Sequence, residues 1–303
     1  MLLQLKPALP EIEGDLMEPE TNNSRSRLII DVGQATDTGV TRQSNEDSLL
    51  VLDFSQDASL TDRPLAFIVI ADGMGGYEGG EIASALASKV VSESVSKSLV
   101  ELVESRGEGS QRVSSLLMDA VLAAGVEVFK QSQIRKNGMG TTLVAALIMG
   151  STAYVVNVGD SRAYLLRGDQ LRQVTADHSL VASLVSAGLI TVDEIYTHPQ
   201  RNVITRSLGS DSKVAVDNFT LDLKAGDSLL LCSDGLWEMV RDNQMKDLLL
   251  KAPNPKTACD ELVSLANSNG GEDNISVIVV GLKNSVVNAI ESGSAKPCGR
   301  TAT

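Results

Sequence analysis

Apolar and polar positions follow two different rhythms along this chain, and the change of rhythm marks its elements. A strand-like run at 27–32 (RLIIDV) leads into a polar loop over 33–48. LLVLDF and then the strongly apolar AFIVIADG, ending at Gly73, follow as further strands. After the loop GMGGYEGG the period lengthens: Ile82, Leu86 and Val90, then Leu116, Val121 and Val128, recur at helical spacing. This predicts two long amphipathic helices, over about 81–104 and 111–133.

Past Gly140 the strand rhythm returns in TTLVAALIM, AYVVNVGD and SRAYLLR, with a Gly168-Asp169 turn before QLRQVT making a hairpin. Residues 177–209 carry short helical pieces (LVASLVSAGL, TVDEI) and little strand signal, so they read as an insertion lying over the sheet. FTLDL, SLLLCSDGLW, a helix near 257–266 and NISVIVVGL complete the pattern. The class is α+β, with helices layered against mainly antiparallel sheet.

Composition narrows the function. The chain has 303 residues, of which 43% are hydrophobic, enough for a full core. The segments 1–26 and 284–303 are rich in polar and small residues and read as tails flanking a domain at 27–283. No apolar run approaches the roughly 18 residues of a membrane span, and Pro7 and Pro10 break the apolar start, so a cytoplasmic address is expected. A net charge of −13 disfavours nucleic acid and anionic lipid as partners. Cys232, Cys259 and Cys298 have neither disulfide-framework nor zinc-like spacing.

Four aspartates stand where apolar strands meet loops: Asp72 in IVIADGMGG, Asp160 in VVNVGDSR, Asp234 in LLLCSDGLW and Asp273 in GEDNISVIVV. Singly, each is a common turn former. Three end strands and one begins a strand, so strands of alternating direction bring all four to one edge. Crowded carboxylates must take up protons or cations. All-oxygen ligands suit Mg²⁺, Mn²⁺ or Ca²⁺, and a chain with only His178 and His198 has little to offer zinc or copper. Gly73, beside Asp72, lets a backbone carbonyl approach such an ion. The loop TDTGVTRQSNEDS adds Glu46, Asp47 and Arg42; on its own it reads as a solvated salt bridge, but beside a cation cluster its guanidinium is suited to grip phosphoryl oxygens.

At this point the chain resembles the metal-dependent serine/threonine protein phosphatases of type 2C, in their bacterial form. The motifs stand in the family's order: RQSNED, ADGMGG, GMGTT, VGDSRAY, TADHS, HPQRNVITRSLG, SDGLWE and DNISVIVV, together spanning nearly all of 27–282. The resemblance implies a central sandwich of two mainly antiparallel sheets flanked by helices on both faces, and a flap at about 177–209. It implies two or three divalent cations, Mn²⁺ or Mg²⁺: Asp72 bridging two, Glu46, Asp47 and the Gly73 carbonyl serving one, Asp234 and Asp273 the other, and Asp160 with Asp234 a third. It also implies direct attack on phosphorus by hydroxide held between two metals, with Arg42 holding the phosphoryl group. The implied substrates are serine- or threonine-phosphorylated proteins made by a bacterial kinase, and the implied enzyme is a monomer.

One departure stands out. Relatives carry a histidine just after the bridging Asp-Gly or slightly later, where this chain has Met74 and Tyr77; water is therefore expected to protonate the leaving group. His178 is expected to be a satisfied hydrogen-bonding residue and Trp237 a core residue. Two rival readings are an inactive binding or sensor module on the same fold, which should lack one of Asp72, Asp234 or Asp273, and a phosphoesterase acting on nucleotides or small phosphates.

Overall fold

The computed structural model describes residues 27–55, 63–75, 79–104 and 110–285. Two antiparallel sheets form its centre. One has the order β1 (Arg27–Asp37), β11 (Ile275–Ser285), β10 (Ser228–Cys232), β7 (Arg162–Arg167), β8 (Gln170–Gln173). The other runs β2 (Asp47–Asp53), β3 (Leu65–Met74), β5 (Leu143–Met149), β6 (Thr152–Val158), β9 (Asp217–Asp222), with the two-residue β4 (Gly140–Thr141) paired to the end of β3. The helices α1 (Gly79–Glu104) and α2 (Ser110–Arg135) cover the second sheet. A short α3 (Leu180–Ser186), the single-turn α4 (Asp234–Trp237), α5 (Asp242–Lys251) and α6 (Pro255–Ser268) lie on the side of the first.

Strand alternation builds the layers. Phe67 and Val69 point out to meet Ala87, Val91, Leu117 and Val121 of the long helices, whereas Ile68 and Ile70 point in to meet Leu229, Leu231, Ile278 and Val280 of the other sheet. On β10 the next residues, Leu230 and Cys232, face Leu262 and Ala258 of α6. Three apolar layers thus separate four layers of backbone, the α-β-β-α sandwich that the motifs imply. Strands buried on both faces read as continuous apolar runs, and β3 and β5 do.

Two strand boundaries and one helix depart most from the sequence reading. β1 continues to Asp37 through residues expected to be loop, because β11 offers a partner for each, from Gly33↔Val279 to Asp37↔Ile275. Asn284 and Ser285, expected to begin a tail, extend β11 opposite Leu28 and Arg27. The helix α5 was not foreseen; its Met245 packs into the core beside Leu248 and Leu249. The expected tails otherwise lie outside the described residues. Among the described residues no helix is long and apolar enough to cross a membrane, and Cys232 and Cys259 are buried free thiols.

Candidate metal centre

The topology explains how the aspartates meet. β3 and β6 both pair antiparallel with β5 and therefore run in the same direction, so Asp72 and Asp160 come off at one end of their sheet. β10 and β11 run in opposite directions, so Asp234, after the end of β10, and Asp273, before the start of β11, also share an end. The two ends coincide. The Ser233 hydroxyl donates to Asp47 Oδ2 at 2.9 Å, and the Trp237 indole N–H donates to the Asp160 carbonyl at 3.0 Å, tying one sheet's loops to the other's.

Each acid has a defined seat. Asp47 opens β2 directly opposite Asp72 in the β2–β3 ladder. The Asp72 N–H donates to Thr142 Oγ1 at 3.0 Å, and its carbonyl accepts from the Thr141 hydroxyl and the Thr142 N–H. Asp160 follows Gly159, whose φ of 108° is a left-handed conformation that favours glycine. At Gly73 a Cβ would stand 2.1 Å from the Gly80 carbonyl and 2.5 Å from that of Glu46, so only glycine lets β3, the start of α1 and the Glu46 corner converge there.

Electrostatically this is an overcrowded place. Burial, and then the charges of Asp234, Asp47 and Asp160, push the Asp72 carboxyl well above the usual range. Burial together with Asp160 and Asp273 does the same to Asp234. Asp47 is pushed up to about 7, chiefly by burial, against the hydrogen bonds of Ser276 and Ser233. Asp160, 2% exposed, is also pushed up to about 7, by burial and then by Asp177. Glu46 is raised by burial, which Arg42 partly offsets.

Among the described residues, Oδ1 of Asp47, of Asp160 and of Asp234 are all buried without a hydrogen-bond partner. Orphaned carboxylate oxygens at one edge are costly unless something positive occupies the space between them, and hard divalent cations suit an all-oxygen donor set. The residues therefore fit such ions. Among the described residues no three acidic, histidine or cysteine side chains already stand drawn together as a closed ligand shell, although the Asp72 and Asp234 carboxyls are within hydrogen-bond reach of each other.

Arg42 is engaged, its guanidinium lying 2.5 Å from Asp273 Oδ2. The flap reaches the same edge. Arg201 pairs with Glu238, just past α4, and with Glu272, beside Asp273. His178 accepts from the Gly159 N–H at Nδ1 (2.9 Å), while its Nε2 lies 3.1 Å from Asp217 Oδ2. Trp237 is buried beneath Arg162, which is itself buried and paired with Asp177 at 2.6 Å. Met74 carries no exchangeable proton, and Tyr77 lies outside the described residues.

Sequence reasoning did not single out the hydroxyl and amide groups that seat the acids: Thr141, Thr142, Ser233, Ser276 and Asn274. Ser233 and Asn274 carried a local signal, since each adjoins an aspartate in CSDG or DNIS; Thr141, Thr142 and Ser276 lie in the quoted motifs GMGTT and DNISVIVV but beside no aspartate.

Comparison with known proteins agrees with this architecture. The family model described as "Protein phosphatase 2C" matches residues 43–255. The serine/threonine phosphatase Stp of Listeria welshimeri is 37% identical over 247 residues, covering 81% of this chain and 93% of its own. PhpP of Streptococcus pneumoniae is 34% identical over 254 residues, covering 84% and 98%. The crystal structure of the Mycobacterium tuberculosis phosphatase PstP superposes with a TM-score of 0.72 at 34% identity, covering 84% of this chain and 99% of that one. A structure of the PstP catalytic domain in complex with two manganese ions gives 0.70 at 31% identity, covering 84% and 99%. Sandwich, motif order and acid-lined edge together place the chain in the protein phosphatase 2C family.

Proposed function

We propose that this protein is a metal-dependent serine/threonine protein phosphatase whose domain at 27–283 hydrolyses phosphoserine and phosphothreonine in proteins phosphorylated by a serine/threonine kinase, acting as a monomer. The observation that carries the reading is the set of partnerless buried oxygens on Asp47, Asp160 and Asp234 beside Asp72. Manganese is the metal of the PstP structure, and Mn²⁺ or Mg²⁺ suits this donor set.

Asp72 would serve two ions, with Glu46, Asp47 and the Gly73 carbonyl on one side and Asp234 and Asp273 on the other; Asp160 and Asp234 would hold a third. Divalent cations, when bound there, lower the pKa of water from about 15.7 toward about 7 and neutralise phosphoryl charge. The chain's own part is placement. Arg42, half exposed and paired with Asp273, would present its planar fork to the phosphoryl oxygens when Asp273 serves an ion instead. No side chain is assigned as general acid, since the positions where relatives carry histidine hold Met74, which cannot donate, and Tyr77, which lies outside the described residues; solvent is the proton source we assign to the leaving oxygen. The flap, held by Arg201 and His178, borders the edge and selects what reaches it.

The test is turnover of a phosphothreonine peptide with Mn²⁺, after exhaustive chelation, and in Asp72→Asn. Hydrolysis that needs Mn²⁺ and nearly vanishes in the variant is expected. Metal-independent turnover, or preference for nucleotides over phosphopeptides, would overturn the reading.

A further inference from the structure

Asn274 uses its short side chain to the full. It is 5% exposed. Its Nδ2 donates to the Thr38 carbonyl and to the Ser44 carbonyl, each at 2.9 Å, and its Oδ1 accepts the Glu46 N–H at 2.8 Å. Those three groups are the two feet of the loop that carries Arg42 and the corner where Glu46 and Asp47 enter β2. Asn274's own N–H donates to Asp273 Oδ1 at 2.8 Å. One residue therefore touches the loop of the phosphate-gripping arginine, the Glu46 corner and the neighbouring acid.

The rest of that loop is held more lightly. Val40 and Thr41 N–H both donate to the Gly271 carbonyl, at 2.8 and 3.1 Å, which secures the near side of the loop only. The crest bearing Arg42 has its guanidinium half exposed, with Asp273 as the partner it reaches. Two amides tie the feet together: Asn274 bonds the backbone carbonyl of each, and Asn45 on the far foot adds one bond to Thr36 Oγ1 at 2.9 Å, so that Asn274 is the tie that reaches both feet and the Glu46 corner at once.

We propose that Asn274 is a positioning residue: it locks the Arg42 loop and the Glu46–Asp47 corner in register with Asp273, so that the phosphate grip and the cation ligands keep one spacing. The inference rests on the phosphatase reading of this edge. The chemistry explains the residue type. The site needs two donors and one acceptor on a side chain of two carbons, which asparagine supplies. Aspartate has the same shape but would face two carbonyls with no proton to give, and alanine would leave both carbonyls and the Glu46 N–H without partners inside the protein.

The experiment uses the full chain as wild type, Asn274→Ala, Asn274→Asp, Arg42→Ala and the double variants Asn274→Ala/Arg42→Ala and Asn274→Asp/Arg42→Ala. Three quantities are read: the inhibition constant of inorganic phosphate against a phosphothreonine peptide, Mn²⁺ affinity by calorimetry, and backbone hydrogen exchange across 38–46 with β3 as the internal reference. In the Arg42 background, Asn274→Ala and Asn274→Asp should each raise the phosphate constant at least about ten-fold, equivalent to about 1.4 kcal/mol. In the Arg42→Ala background the same change should be under about two-fold, because the effect passes through the arginine. Both variants should weaken Mn²⁺ binding and speed exchange across 38–46, leaving β3 protected.

Equal effects in both Arg42 backgrounds, or unchanged exchange across 38–46, would overturn the proposal and leave Asn274 as plain scaffold. If Asn274→Ala does not fold, the isosteric Asn274→Asp carries the test. Wild type inactive on the peptide with Mn²⁺ would instead defeat the functional reading, while exchange and Mn²⁺ affinity still decide the role of Asn274.

Discussion

Replacing Asp160 by asparagine should stabilise the metal-free protein increasingly from mildly acidic to neutral pH while damaging its metal site. Asp160 is 2% exposed, its Oδ1 has no partner, and burial followed by the charge of Asp177 pushes its carboxyl from 3.8 to about 7. Between those two values the folded chain keeps a proton that the unfolded chain has lost, so stability falls as pH rises through the window. At 1.36 kcal/mol per pH unit the loss approaches roughly 4 kcal/mol above pH 7, an upper limit because the neighbouring acids share their protons.

For a domain of this size that corresponds to roughly 10 °C in Tm. Asparagine keeps the shape of the protonated acid and cannot ionise, so this part of the pH dependence disappears. The assay is thermal unfolding in excess chelator from pH 5 to pH 8.5 for wild type and Asp160→Asn. The variant should already lie higher at pH 5, by about 1.6 kcal/mol at 1.36 kcal/mol per pH unit, the gap should widen up to about pH 7, and above that the two curves should run parallel. Adding Mn²⁺ should then raise wild type more than the variant, since an ion that binds only the folded state stabilises by mass action. Parallel curves across the whole range would refute the electrostatic argument.

Two further outcomes follow from packing. Gly73→Ala should weaken Mn²⁺ binding and lower Tm, because its methyl group would collide with the Gly80 and Glu46 carbonyls; calorimetry and thermal unfolding check both, and an unchanged Mn²⁺ affinity would contradict the close approach. Arg162→Ala should destabilise by about 3–5 kcal/mol in denaturant unfolding, because it strands the buried Asp177 without its partner; a loss below about 1 kcal/mol would mean the pair is screened like a surface bridge.

The legible part of this protein was the part written locally. Apolar runs of strand length and the helical recurrence of Ile82, Leu86 and Val90 are properties of short windows, and β3, β5, α1 and α2 stand where they predict. The placing of Asp72, Asp160, Asp234 and Asp273 at strand ends was equally readable, because acid beside glycine after an apolar run is a local signal. What lay beyond reach depended on distant partners. β1 runs to Asp37 only because β11, far along the chain, pairs with it. α5 shows one polar turn and then three consecutive leucines, 248–250, a run without a clear period until α6 and β8 give it a surface. Asn274 reads as one more polar residue in a turn, and its bonds to Thr38, Ser44 and Glu46 bridge more than two hundred residues of chain.

The most direct test of the central claim is a crystal soaked in Mn²⁺ and measured at the manganese absorption edge. Anomalous peaks should lie between Asp72, the Gly73 carbonyl and the Glu46–Asp47 corner on one side and Asp234 and Asp273 on the other, with Asp273 turned away from Arg42. An acid-lined edge without anomalous density at saturating Mn²⁺, or manganese bound elsewhere while the Arg42–Asp273 pair stays closed, would contradict the account.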